Sequence, residues 1–287
     1  IMDSYYIIKN ELNKYYVNIH KNKNKYNILV GGIKKKCVNF TMYNDDEIGV
    51  LELLENDSRC FLFQDTNNSD IIDLLRTSLY FMYVKFPTLK YIEFSDTSFI
   101  TCKNNKRMSL PDLMTVKYDE TWYEYHFNAI PYDNEDILFQ KSRIKELKNK
   151  KIELSTEEFI NKHYATYRLK NGNTNKNIKI KKHIIEKTKE KYKQNITFKE
   201  YLDIFIDEDC IYYENIFNNI IGQKLQNTKW LININIIKKY NVTLTMTKID
   251  KIQQNDDLNK LSKNLRRNNK NKLAKLGGCL YHGYYKE

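Results

Sequence analysis

Two clusters of basic residues offer the clearest chemistry in this chain. Lys179, Lys181, Lys182, Lys187, Lys189, Lys191 and Lys193 gather around Tyr192. Lys263, Arg266, Arg267, Lys270, Lys272 and Lys275 alternate with Leu258, Leu261, Leu265, Leu273 and Leu276. On a helix those leucines would dock one face and leave the cations on the other, where they can neutralise phosphates. Binding of that kind weakens with salt and has no sequence preference of its own. The chain also holds 23 tyrosines. Exposed rings stack on unpaired bases, which points to RNA or single-stranded DNA as the partner. Two other readings of the same lysines stand beside it: a solvated charged face, or a patch that grips an acidic protein.

The remaining candidate chemistry is sparse. Asp207-Glu208-Asp209 could meet a divalent cation but lacks the spacing of a calcium loop, and an exposed turn or helix start explains it as well. His20, His126, His163, His183 and His282 have no companions at ligand spacing, so no metal site is expected. Cys279 lies beside Tyr281 and His282, yet nucleophile and base normally meet through the fold and not along the chain. The five cysteines are odd in number, widely spaced and form no CxxC pair. That pattern argues against a disulfide framework or structural zinc and for a reducing compartment, with Cys37, Cys60 and Cys102 as small buried residues.

The charge is unevenly placed. Residues 1–130 hold 16 basic and 17 acidic residues, a net of −1, and residues 131–287 hold the other 32 and 19, a net of +13. A neutral half beside a basic one suggests two domains, 1–130 and 131–287, of which the second meets a polyanion. An AT-rich genome would also enrich Lys, Asn, Ile and Tyr. Apolar residues make up 41% of the chain, enough for a packed core. The start is polar and aromatic, unlike a signal peptide, and no apolar run is long enough to span a bilayer.

The elements that must position these groups are of both kinds. Residues 5–8, 15–19, 26–30, 37–42, 50–54 and 59–63 read as strands of a meander, with Gly31-Gly32 and Glu55-Asn56-Asp57-Ser58 as turns. Ile71, Leu74, Leu75, Ser78, Leu79, Met82 and Tyr83 then fall on one helix face, closed by Pro87. Leu89 to Phe94 is a short strand. Ser109 and Pro111 start a helix that can run to Trp122, unless Asp119 to Thr121 breaks it. Beyond it the chain reads as mostly helical: 134–151, a start at Ser155–Glu158, 181–193, 197–206, 210–225 and 258–276. One hairpin is expected from 230–237 and 242–246. The fold class is α+β.

This order ends in Thr121-Trp122-Tyr123-Glu124-Tyr125-His126-Phe127, and over roughly Glu47 to Ala129 it resembles the GNAT N-acetyltransferase fold. The resemblance implies acetyl-coenzyme A held between two splayed strands, its diphosphate on a glycine-rich loop that opens the long helix. It also implies Tyr123 as the general acid that protonates the leaving thiolate, with Glu124 or His126 as a relay. The alternative for Tyr123, Trp122 and Phe127 is packing of helix onto sheet. The corresponding loop here, Gln64-Asp65-Thr66-Asn67-Asn68-Ser69-Asp70, has no glycine and sets Asp65 and Asp70 where the diphosphate would lie. Like charges at short range repel strongly. The expectation is therefore a degenerate acetyltransferase-like fold kept for binding nucleic acid, without a cofactor. The alternatives are an acetyl-coenzyme A-dependent N-acyltransferase and a protein-binding scaffold or virion component. Tyr91 to Ser98, through to Glu124, is also similar to uncharacterised proteins of giant nucleocytoplasmic DNA viruses. That implies an intracellular setting, in host cytoplasm or viral factory, or in the virion.

Overall fold

The structure, a computed structural model, describes residues 2–11, 13–32, 35–55, 58–60, 63–64, 71–102, 107–155, 157–162, 186, 195–205, 214–240 and 243–249. It is mixed α+β, in two compact units: Ile1–Phe94 together with the chain from Ile232, and Ser95–Leu231.

The first unit is built on the expected meander. β1 (Met2–Lys9), β2 (Asn13–Asn22), β3 (Lys25–Gly31), β4 (Lys36–Tyr43) and β5 (Ile48–Leu54) each pair antiparallel with the next. Their β-branched and aromatic residues alternate into the core, with Ile8, Tyr15, Val17, Ile28, Val30, Val38 and Phe40 fully buried. Gly31 has φ 156°, and a Cβ there would lie 2.7 Å from the Lys35 carbonyl oxygen, so the close turn admits no side chain. On β5, Glu52 is an extra residue, since Phe40 pairs with Leu51 and Asn39 with Leu53.

β6 (Phe63–Gln64) pairs with the start of β2. α1 (Ile71–Lys85) follows and buries Ile71, Leu74, Leu75, Ser78, Leu79 and Met82, the stripe read from the sequence. The chain returns as β7 (Tyr91–Ser95), parallel to β5, as a strand–helix–strand crossover demands. The two match at only three positions, Ile48 with Tyr91, Gly49 with Ile92 and Val50 with Glu93.

Three expectations are corrected here. Arg59 to Phe63 is not a strand: Ser58–Cys60 is a 3-10 turn and β6 begins at Phe63. Cys60 in that turn is disulfide-bonded to Cys37 on β4, and Cys102 is also disulfide-bonded. The cysteines are buried, as expected, but these three are not thiols, and the reducing compartment loses the support their spacing gave it. The hairpin of 230–237 with 242–246 does not form either. The Asn233 side chain accepts from the Asn235 N–H and turns Ile234–Lys239 into a 3-10 helix packed on α1. The strand Thr245–Ile249 then pairs with β1. Within the unit the order is β7-β5-β4-β3-β2-β1-(245–249).

The second unit opens with the antiparallel pair β8 (Phe99–Thr101) and β9 (Arg107–Ser109). α2 (Leu110–Tyr118) starts where Ser109 and Pro111 predict, with the Ser109 hydroxyl accepting from the Asp112 N–H. It stops at Asp119, in the left-handed region at φ 65°. α3 (Trp122–Phe127) begins afresh on a capping box, Thr121 accepting from the Glu124 N–H while Glu124 accepts from the Thr121 N–H. So the stretch from Ser109 to Trp122 holds two helices, because two local caps outweigh continued periodicity. β10 (Ile130–Pro131), α4 (Asn134–Asn149), α5 (Phe198–Phe205), α6 (Glu214–Ile220) and β11 (Lys229–Asn233) complete the unit, with β10 antiparallel to β11. Ser155 and Glu158 form the expected box before the helical residues 157–162, and Thr197 and Glu200 repeat it before α5. α2 packs on α3, α4 and α5 around Leu113, Val116, Phe127, Ile144, Phe198, Tyr201 and Leu202.

Candidate functional site

In the first unit the polar chemistry converges on the start of α1. Asp73, its third residue, accepts from Asn10 Nδ2 at 2.8 Å on each oxygen, from Asn13 Nδ2 at 2.9 Å and from the Tyr15 hydroxyl at 2.6 Å. Asn10 also donates to Thr77 Oγ1 one turn on, at 2.8 Å. The β1–β2 turn is thereby tied to the helix start, and a carboxylate already sits where the helix dipole favours negative charge. Of the loop Gln64 to Asp70, Gln64 belongs to β6, and residues 65–70 lie outside the described residues. Lys36, at the start of β4, is a second group that sequence reading missed. Its amine lies 3.9 Å from the Tyr16 ring centroid and donates to the Gly32 carbonyl at 2.8 Å. Burial pulls its pKa down to about 7.

In the second unit Tyr123 lies in the core. It meets Trp122 edge-on at 4.9 Å between centroids and Phe127 at 6.4 Å. Burial, and then the charge of Asp96, push its phenol far up, so it is neutral at any ordinary pH. Asp96 follows β7 and is only 1% exposed. Its Oδ1 accepts from the Ser98 N–H and hydroxyl, and its Oδ2 has no hydrogen-bond partner among the described residues. Burial raises its pKa to about 6, against the Ser98 hydrogen bonds and with a smaller push from Asp112. Asp112 is raised too, again by burial, although the Ser109 hydroxyl and the Leu225 and Lys224 N–H groups donate to it. The Asp-x-Ser after a strand and the Ser-x-x-Asp before a helix are legible as local turns and caps. Their common burial is not.

The surface of the second unit carries aromatic rings with cations beside them. Arg107 lies 3.9 Å from the Phe99 centroid, Lys229 5.5 Å from Tyr132, Lys117 5.9 Å from Tyr118 and Arg143 5.9 Å from Phe139, and all four rings are exposed. Tyr125 is exposed as well and lies 6.4 Å from Tyr118. The sequence shows the tyrosines but not which of them reach solvent. The basic residues expected to bind phosphate, Lys179, Lys181, Lys182, Lys187, Lys189, Lys191, Lys193, Lys263, Arg266, Arg267, Lys270, Lys272 and Lys275, lie outside the described residues, as do Asp207-Glu208-Asp209 and Cys279.

Among the described residues no three His, Cys, Asp or Glu side chains are placed to hold a metal ion. No helix among them is long and apolar enough to cross a membrane. Comparison with protein-family models, with curated proteins and with solved structures returned no match.

Proposed function

We propose that this chain is a non-catalytic nucleic-acid-binding protein, for RNA or single-stranded DNA, on a degenerate acetyltransferase-like fold. The observation that carries the reading is the set of exposed rings in the second unit, Phe99, Tyr118, Tyr132 and Phe139, each with a lysine or arginine over one face, which leaves the other face for a base. A base stacks on the ring while the cation meets its phosphate. The net charge of +13 over residues 131–287 adds the long-range attraction. The catalytic reading loses ground at two places: Tyr123 packs among Trp122 and Phe127, and Asp73 takes the positive end of α1. Fluorescence anisotropy with a labelled single-stranded oligonucleotide tests the proposal. The expected affinity falls steeply between about 50 and 200 mM salt. No binding, or binding indifferent to salt, would overturn it.

One observation favours the second reading, an acetyl-coenzyme A-dependent acyltransferase. β5 and β7 run parallel and match at only three positions, which suits strands that splay. Under that reading acetyl-coenzyme A raises the melting temperature, and Tyr123→Phe abolishes transfer. An unmoved melting temperature at saturating cofactor would retire it.

A further inference from the structure

We propose that Tyr118 and Tyr125 form a stacking platform for two neighbouring unpaired bases, which makes the second unit select single strands over duplex. The inference rests on the nucleic-acid reading above and adds to it a site and a basis for selectivity. Tyr118 is 44% exposed and Tyr125 60%, large values for rings whose centroids lie 6.4 Å apart. They come from different helices, the last residue of α2 and the middle of α3, and each is fixed from behind. The Asp119 N–H bonds the Thr115 carbonyl at 3.0 Å, and Lys148 Nζ reaches Asp119 Oδ1 at 2.6 Å and the Val116 carbonyl at 3.3 Å. On the α3 side, the Thr121–Glu124 box sets the turn, and the Tyr125 N–H bonds the Thr121 carbonyl at 3.1 Å. The backbone that carries the two rings is fixed in this way, so little main-chain freedom is lost on binding.

The two ring planes are inclined by 33°. A stacked base pair is flat and hides its faces within the duplex, so it cannot lie on both rings. Two bases out of the stack can tilt separately and cover each of them. The cations fit the same ligand. Lys117 lies beside Tyr118, and Lys145 on α4 and Lys199 on α5 are close enough to act on the Asp119 carboxylate. The acids on the segment between the two rings are Asp119, Glu120 and Glu124, and Glu146 and Glu200 follow Lys145 and Lys199 in sequence. Lys148 binds Asp119, and Lys141 binds Glu124 at 2.7 Å. Lys117, Lys145 and Lys199 add positive charge near Tyr118 and Asp119, which attracts the phosphates of a bound strand.

The test is anisotropy with the full chain, a labelled oligo-uridine and a duplex of equal length, on wild type, Tyr118→Ala, Tyr125→Ala and Tyr125→Phe. Each alanine variant should bind the single strand roughly tenfold more weakly, with duplex binding and the salt slope unchanged. Tyr125→Phe, which keeps the face and loses the hydroxyl, should bind like wild type. Wild type that binds single strands, with alanine variants that bind them equally well, overturns the platform and leaves the nucleic-acid reading intact. Wild type that binds neither oligonucleotide overturns that reading, and the platform with it. Competition by poly-glutamate as effective as that of unlabelled oligo-uridine would show an acidic-protein site and also overturns the proposal.

Discussion

Replacing Asp73 with alanine is expected to loosen the first unit more than any surface change should. Three side chains donate to this carboxylate: Asn10 to both oxygens at 2.8 Å, Asn13 at 2.9 Å and Tyr15 at 2.6 Å. Asn10 keeps Thr77 Oγ1 as an acceptor in the variant, so its share of the loss is small. The other two donors lose a charged acceptor in a part-buried setting, and hydrogen bonds to charged groups contribute about 1.5–3 kcal/mol each. Losing a carboxylate from the first turn of α1 adds about 0.3–1 kcal/mol. The expected cost is about 3–7 kcal/mol, and a melting temperature lower by roughly 7–28 °C for a domain of this size. Urea unfolding followed by far-UV circular dichroism reads it directly. The companion variant is Tyr15→Phe, alone and combined with Asp73→Ala. If the hydroxyl acts through Asp73, the double variant loses at least about 1 kcal/mol less than the two single losses added together. Asp73→Ala within about 0.5 kcal/mol of wild type, or strict additivity with Tyr15→Phe, would refute the network as the tie between the β1–β2 turn and α1.

Two further outcomes follow from buried groups. The Cys37–Cys60 bridge closes a separation of 23 residues, worth about 3 kcal/mol through the unfolded chain. Cys37→Ala with Cys60→Ala should lower the denaturation midpoint accordingly, and reduction of the wild type, which also opens the bridge at Cys102, should lower it at least as far. Five alkylatable thiols in protein unfolded without reductant would show that the bridge does not form. Asp96 has a folded pKa of about 6 against 3.8 for the ordinary group. A raised carboxyl pKa means that the folded state holds its proton longer, so this stability is complete below about pH 4 and is lost as pH rises through about 6, to a total on the order of 3 kcal/mol. Asp112, also raised, works in the same direction. Asp96→Asn should flatten the fall in unfolding free energy between about pH 4 and pH 6, the interval between the two pKa values. An identical slope in the variant would count against Asp96 as its source.

What could be read along the chain were features decided within a few residues. The strand through residues 15–19, the stripe from Ile71 to Met82 and the starts at Ser109 and Ser155 all appear as expected. Each depends on a short-range repeat or on a side chain that bonds its own backbone three residues on. The fate of Asp119 to Thr121 was open in the sequence, because periodicity and capping compete there, and the caps prevail.

Partners far apart in the chain were settled only when the sheets and helices closed. Residue spacing cannot show that Cys60 meets Cys37, that Asp73 gathers Asn10, Asn13 and Tyr15, or that Thr245–Ile249 pairs with β1 in place of the strand before it. Exposure has the same character. Tyr123 and Tyr125 are two residues apart on one short helix, and one is core while the other faces solvent. The physical reason is common to all of these. A hydrogen bond or a helix period is a property of neighbouring residues, whereas burial and long-range pairing are decided by which surfaces the whole chain must hide from water at once.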